Sequence, residues 1–399
     1  MSRPRVAIVG GGVAGVVLAW RLRQAGGVDV DLFLGTRTSG STGADTQAGG
    51  GRGAGAPAVT DATAASGGMV RAFEVDAGAC RLAAESLAEL RDDAELRRLV
   101  GFRRVGSVYL LPPGADPAGS VETVDRVLPG SARPMTVDQL VSAGYPFRDL
   151  PGGTIGIVER YAGYLSPALM RDRLVERLAA APAGAGAGPS ACTVRAVAVA
   201  AVTAATTVTP TVRPVDGPPL GYDVVVVAAG PWTPRLLAAS GLPTDGLRTR
   251  QIQYVVTDLG PADLPAFVDD TGDTGDAGGG LYGRPAGDGR ALLGLPTPHW
   301  QVDPDAVIPD AELVDRTLAE ARRRLGVSVD AGPTSRVVAS SDCYHDPAGL
   351  ALRRVGGHPA LLTFTGGSGG AAKTVLAAAR VAATALVHRL AGVGAGSPR

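Results

Sequence analysis

Three glycines near the start of this 399-residue chain carry its first legible chemistry. Gly10, Gly12 and Gly15 stand in the run Val6-Ala7-Ile8-Val9-Gly10-Gly11-Gly12-Val13-Ala14-Gly15. A G-x-G-x-x-G spacing straight after an apolar stretch suits a tight turn at Gly10, the approach of a pyrophosphate at Gly12 and close helix–strand packing at Gly15. The free N–H groups of the helix that follows, together with its positive dipole end, would hold the phosphates. A second glycine-rich run, Thr365-Gly366-Gly367-Ser368-Gly369-Gly370-Ala371-Ala372-Lys373, ends on the only lysine of the chain. Cys343-Tyr344-His345-Asp346 sets an imidazole beside a carboxylate, which can act as a base or serve only structure. Arg71 and Glu74 form a candidate charged pair three residues apart.

Those residues need elements to hold them. Val6–Val9 reads as a buried parallel strand, Val16–Arg23 as a helix and Val28–Leu34 as a second strand, which makes a βαβ unit. An acidic residue is expected near the end of that second strand for the ribose, yet Leu34 and Gly35 stand there, and Asp29 and Asp31 come too early. Tyr222–Ala228 reads as another fully buried strand, leading into Ala229-Gly230-Pro231-Trp232 and a helix at Arg235–Ser240. Ala360–Phe364 is a third such strand, and the helix after it runs to Leu390. Between them, Thr36–Gly68 is rich in Gly, Ala, Ser and Thr and reads as a flexible insertion. Beyond it the pattern turns helical through Leu90, with Arg71 and Glu74 near its first turns. Residues 102–111 read as a strand pair, Val121–Leu128 and Val137–Ala143 as short helices, and Ile155–Val158 as a strand. Ser166 and Pro167 suit the N-cap and first turn of a helix reaching about Ala180. Residues 181–190 read as a loop, and Cys192–Val202 and Thr206–Val212 as a hairpin or small meander. Residues 251–258 alternate with period two, 281–294 reads as a hairpin and Val314–Leu325 as a helix.

Composition narrows the classes. Lys plus Arg and Asp plus Glu both number 38, so no nucleic-acid footprint or polybasic membrane patch is indicated. No signal peptide and no apolar run long enough to cross a bilayer is read, which places the chain in the cytoplasm by expectation. Three cysteines without ligand or redox spacing fit a reducing compartment. His299, His345, His358 and His388 lack ligand spacing, so no metal site is expected.

Taken together, Gly10–Gly15, Ser66–Glu74, Gly163–Pro167, Val224–Leu237, Tyr282–Gly294 and Thr365–Lys373 resemble the FAD-dependent amine and amino-acid oxidoreductases of the D-amino-acid oxidase superfamily, nearest to monomeric sarcosine oxidase and glycine oxidase. The resemblance implies an α/β fold with a discontinuous Rossmann-type FAD-binding domain, drawn at 1–90, 150–248 and 332–399 with 36–68 as an insertion. It also implies a second, α+β substrate domain on a mainly antiparallel sheet, drawn at 91–149 and 249–331. FAD is expected against Gly10, Gly12, Val13, Ala14, Gly15, Gly68, Met69, Ala229, Gly230, Trp232, Gly367, Ser368, Gly369, Gly370 and Ala371. By the same resemblance Lys373 pairs with a substrate carboxylate, Arg71 stabilises the reduced flavin, and Tyr282, Arg284, Tyr254 and His345 are roof or rim candidates. Three positions depart from the pattern. Leu292 stands where a lysine promotes reaction with oxygen, and Glu74 replaces a carboxylate-binding arginine. Cys343 lies near a position through which some relatives bind FAD covalently. The implied activity is hydride removal from the carbon next to nitrogen in a small amine or amino-acid-like substrate, with oxygen or another acceptor restoring the flavin. A tailoring enzyme acting on a larger metabolite and a non-catalytic nucleotide-binding protein are the alternatives.

Overall fold

The computed structural model of the chain describes residues 3–35, 61–180, 190–203, 209–259, 264–272, 279–327, 329 and 335–394. Its first sheet gathers strands from distant parts of the chain. Arg5–Val9 lies between Asp29–Phe33 and Val224–Val227, with Cys192–Arg195 beyond the former and Leu361–Thr365 beyond the latter, all parallel. Ala351–Arg354 adds an antiparallel edge. Alternate residues of the central strands serve opposite faces. Val6, Ile8, Val224 and Val226 pack towards helix Val13–Ala25 and the last helix, Ala371–Gly394. Ala7, Val9, Val225 and Val227 meet Val202 and Val212 of a small three-stranded sheet, and Tyr222 just after it. Both faces are covered, which is why these strands read as unbroken apolar runs.

The last helix corrects one expectation. Ser368–Gly392 is long and apolar enough, by length and composition, to span a membrane. Val375, Leu376, Ala379, Ala382, Ala383 and Leu386 nevertheless lie buried at helical spacing, against helices Val13–Ala25 and Ala77–Asp92. Its apolar character is that of a core helix.

The second layer is an eight-stranded sheet in the order Arg336–His345, Leu247–Asp258, Arg290–Gly294, Tyr282–Gly287, Ala266–Asp269, Ser107–Leu111, Ile155–Glu159, Ala132–Thr136. All neighbours are antiparallel except Ala266–Asp269 beside Ser107–Leu111. Helix Ala311–Leu325 backs it through Leu313, Leu318 and Leu325, which share a core with Val255, Phe267 and Leu293. Ile155–Glu159 and Arg336–His345, drawn above within FAD-binding segments, pair into this sheet instead. Cys192–Val202 is not one strand either: Cys192–Arg195 joins the parallel sheet and Val199–Thr203 pairs with Thr211–Pro214. Residues 36–60 of the expected insertion, and most of the loop at 181–190, lie outside the described residues. Residues 61–68 are packed, with Ala65 fully buried. Arg71–Glu74 precede their helix, which begins at Ala77 where Asp76 accepts the Ala79 N–H.

Candidate active site

Between the two layers runs a cavity of about 1630 Å³. Ordinary ligand pockets hold roughly 300–1,000 Å³, so this one has room for a dinucleotide and a further molecule. One end is built from Gly10–Ala14, Phe33–Gly35, Asp61–Thr63, Arg171–Asp172, Val175, Glu176 and Ala198–Ala200. Its form explains the glycines. A Cβ at Gly10, where φ is +138°, would sit 2.2 Å from the Ala228 carbonyl oxygen, and one at Gly15 only 2.1 Å from that of Gly10. Both are close-packing glycines, and Gly15 does its work behind the cavity wall rather than on it. At Gly12 a Cβ would meet only the Thr63 hydroxyl, at 3.3 Å, so the backbone there is open to an approaching group. Thr63 Oγ1 also accepts the Val13 N–H at 3.0 Å, fixing the loop against the helix N-terminus. At Gly68, φ is +65° and a Cβ would stand 2.0 Å from the Leu165 carbonyl oxygen, so only glycine fits. Met69, Ala229, Gly230, Trp232, Gly367, Ser368, Gly369 and Ala371 continue the lining, while Gly370 does not reach it. A long, glycine-bared cleft at strand ends and a helix N-terminus fits FAD in shape and in donor chemistry.

The charged residues are arranged differently from expectation. Lys373 Nζ lies 2.6 Å from Glu74 Oε1, and Arg71 bonds both Glu74 and, at 2.5 Å, the Phe73 carbonyl. Arg71 also lies 4.7 Å over the ring of Tyr109, which lines the cavity, whereas Arg71, Glu74 and Lys373 do not. Burial pushes the Glu74 carboxyl up, but the charges of Arg71 and Lys373 and their hydrogen bonds outweigh it and leave the pKa lowered. Glu74 is therefore ionised at neutral pH. Burial, seconded by Arg71, lowers the pKa of Lys373 even with Glu74 beside it. Glu159, buried at the base, accepts the Ala72 and Phe73 N–H groups at 2.9 and 3.1 Å and so holds the loop that presents Glu74.

Of the roof candidates, Tyr282 and Tyr254 line the cavity. The Tyr282 hydroxyl donates to the Gln253 carbonyl at 3.0 Å, and burial raises its pKa. Arg284 and His345 do not line it. The Arg284 Nε donates to the Gly67 carbonyl at 2.5 Å and the guanidinium lies 4.4 Å over Tyr164, so this residue ties the roof to the 66–68 loop. His345 Nδ1 meets the Pro347 carbonyl at 3.0 Å, and burial lowers its pKa. Leu292 is 1 % exposed beside Tyr254 and Val256, with its side chain 3.6 Å from where a Gly67 Cβ would be. Cys343 does line the cavity, but burial pushes its thiol up to about 11, so it is protonated at neutral pH. Among the described residues no group of three or more His, Cys, Asp or Glu could hold a metal.

Several cavity residues went unrecognised in the sequence. Strands Leu247–Asp258 and Arg336–His345 pair so that Arg250 faces Asp342 and Arg248 faces Tyr344. The Arg250 Nε donates to the Thr297 carbonyl at 2.7 Å, its guanidinium stacks 4.7 Å from the Trp300 ring, and Trp300 meets Tyr344 edge-on at 5.0 Å. Burial alone pushes the Asp342 carboxyl up to about 7. Gln253 exchanges two hydrogen bonds of 2.7 Å with the backbone of Asp310. The alternation of 251–258 is visible in the sequence. The partner strand and register that bring these groups together are not.

A discontinuous parallel sheet with a glycine-bared cleft, roofed by an antiparallel sheet, defines a flavin-dependent oxidoreductase. The profile of the FAD dependent oxidoreductase family matches residues 5–385, and the chain belongs to that family. No curated protein matches the sequence. Among solved structures the chain is similar to L-proline dehydrogenase from P. horikoshii, with a TM-score of 0.69, 15 % identity and coverage of 97 % of this chain and 94 % of that one. It is similar also to NikD, an unusual amino acid oxidase essential for nikkomycin biosynthesis, with a TM-score of 0.66, 18 % identity and coverage of 100 % and 96 %. Glycine oxidase from Geobacillus kaustophilus gives a TM-score of 0.65, 18 % identity and coverage of 97 % and 95 %.

Proposed function

We propose that this enzyme oxidises an amine or amino-acid-like substrate at the carbon next to nitrogen. FAD, when bound, supplies the two-electron acceptor. The observation that carries the reading is the continuity of the cavity, from the phosphate-type glycine loop to a chamber walled by Tyr109, Tyr254, Tyr282 and Tyr344. The glycine loop, Thr63 and the Gly367–Gly369 turn bind the cofactor. The tyrosines exclude water and orient an apolar substrate face, and Asp342 offers a carboxyl able to hold or release a proton near neutral pH. The similar solved structures named as amino acid oxidases and a proline dehydrogenase support the substrate class. The purified protein should show a flavin absorption spectrum, and the 450 nm region, roughly, should bleach anaerobically on adding a small amine substrate. A colourless protein with no flavin released on denaturation would overturn the reading.

A second reading, in which the substrate is a larger amine, has its own support. Glu74 already pairs with Lys373, the cation expected to receive a small substrate's carboxylate, and with Arg71, and NikD is described as acting in nikkomycin biosynthesis. Brisk peroxide formation from N-methyl and D-amino acids would exclude it.

A further inference from the structure

The second nucleotide strand offers the adenosine ribose no carboxylate. Leu34 and Gly35 line the cavity at its end, and the strand's own acids are engaged elsewhere. Asp31 accepts from Arg5 at 2.9 Å, Arg195 at 3.2 Å and the Tyr222 hydroxyl at 2.6 Å, while Asp29 accepts the Ala191 N–H at 3.1 Å. We propose that Asp61 supplies the missing ribose-binding carboxylate, delivered from the loop before Thr63 and held in position by Arg171. Both residues line the cavity at the end where Leu34 and Gly35 lie. Arg171 sits in the first turns of helix Pro167–Ala179, its side chain only 6 % exposed. Its Nη1 lies 2.9 and 3.2 Å from the two Asp61 oxygens, and its Nε 2.8 Å from Asp172. The guanidinium is thus clamped between two carboxylates and cannot swing away with either one.

Asp61 itself is fixed at three points. Its Oδ1 accepts the Ala64 N–H at 2.9 Å, Arg171 holds both oxygens, and Thr63 ties the same loop to the Val13 N–H. The carboxylate is thereby registered to the phosphate-binding glycines. Its side chain keeps 32 % exposure, and a carboxylate has about four acceptor sites, so capacity remains for a ribose hydroxyl. Asp172 and Glu176 also line this end, and Asp61 is the acid that shares a loop with Thr63, which bonds the Val13 N–H. Arg171 is on this account a positioning residue and Asp61 the contacting one.

The test is cofactor affinity and does not depend on the substrate. Apoprotein is titrated with FAD, with FMN and with an FAD analogue carrying 2′-deoxyadenosine, followed by flavin fluorescence. Asp61→Asn should weaken FAD by about ten- to a hundredfold, as expected for losing a charged hydrogen bond, and leave FMN unchanged. Arg171→Gln should move FAD in the same direction by a smaller factor, and Asp61→Glu should recover part of the loss. Wild-type protein should bind the deoxyadenosine analogue more weakly than FAD, and Arg171→Gln should narrow that difference, which decides the question if the Asp61→Asn protein does not fold. The proposal is overturned if wild type binds analogue and FAD alike, or if Asp61→Asn leaves FAD affinity intact or weakens FAD and FMN equally. It is also overturned if Glu176→Gln or Asp172→Asn alone reproduces the selective loss.

Discussion

Glu74 sets the charge around Lys373, and its removal isolates two cations. Glu74→Gln would leave Arg71 and Lys373 facing each other with little water to screen them. Breaking a largely buried pair in this way costs about 3–5 kcal/mol, and urea unfolding of the two proteins should show a loss of that order. The same carboxylate gives stability a pH dependence. Glu74 has a folded pKa below its ordinary 4.5, so its contribution is complete above that value and is lost as pH falls through the lowered one. Wild-type stability should therefore start to drop as pH falls below about 4.5, and Glu74→Gln should flatten part of that slope. The lone lysine at the end of a glycine-rich run could be read from the sequence, but its partner could not. Arg71 and Glu74 look like an ordinary helical surface pair until the loop Arg71–Asp76 turns them inward. Arg284 stands in the roof, but its side chain reaches the Gly67 carbonyl rather than the cavity.

At the scale of elements, the first βαβ unit was legible because three local signals agree: apolar run, glycine spacing and helical period. The cost of disturbing it follows from the distances. Gly15→Ala would press a methyl group to 2.1 Å from the Gly10 carbonyl oxygen, forcing helix and strand apart. A destabilisation of about 1–3 kcal/mol is expected from such overpacking, with bound flavin falling in parallel, both measurable on one purified sample. Strand assignment failed where partners are remote. Cys192–Val202 alternates well enough to be one strand, but residues between Arg195 and Val199 hand the chain from the parallel sheet to the small antiparallel one. Nothing local marks that transfer, since strand preference reflects the surface a strand meets rather than its own composition.

Across the whole molecule, the segment from Leu295 to Asp310 straps the two layers together along the cavity. Thr297 takes the Arg250 hydrogen bond, the Val302 carbonyl takes that of Thr249 at 2.7 Å, and the Ile308 carbonyl that of Gln251 at 3.1 Å. On the opposite side, Asp305 accepts from Trp232 Nε1 at 2.8 Å and pairs with Arg235, which also lies 3.6 Å from Asp303. The Arg235 contacts are about half exposed and open to salt screening. Asp305→Ala should speed proteolytic nicking between residues 298 and 309 several-fold, by roughly the loss of one exposed latch, and raised salt should do the same to wild type. No such change in nicking would mean that the strap is held by its roof-side bonds alone. The solitary lysine has a different use at this scale. The chain carries a single ε-amine, and that amine is folded into an ion cluster behind the cavity wall. An acylating reagent therefore has one side-chain target whose accessibility reports on one place. The mass of the labelled protein becomes a clock for local opening around Glu74, read without mutation, substrate or spectroscopic probe.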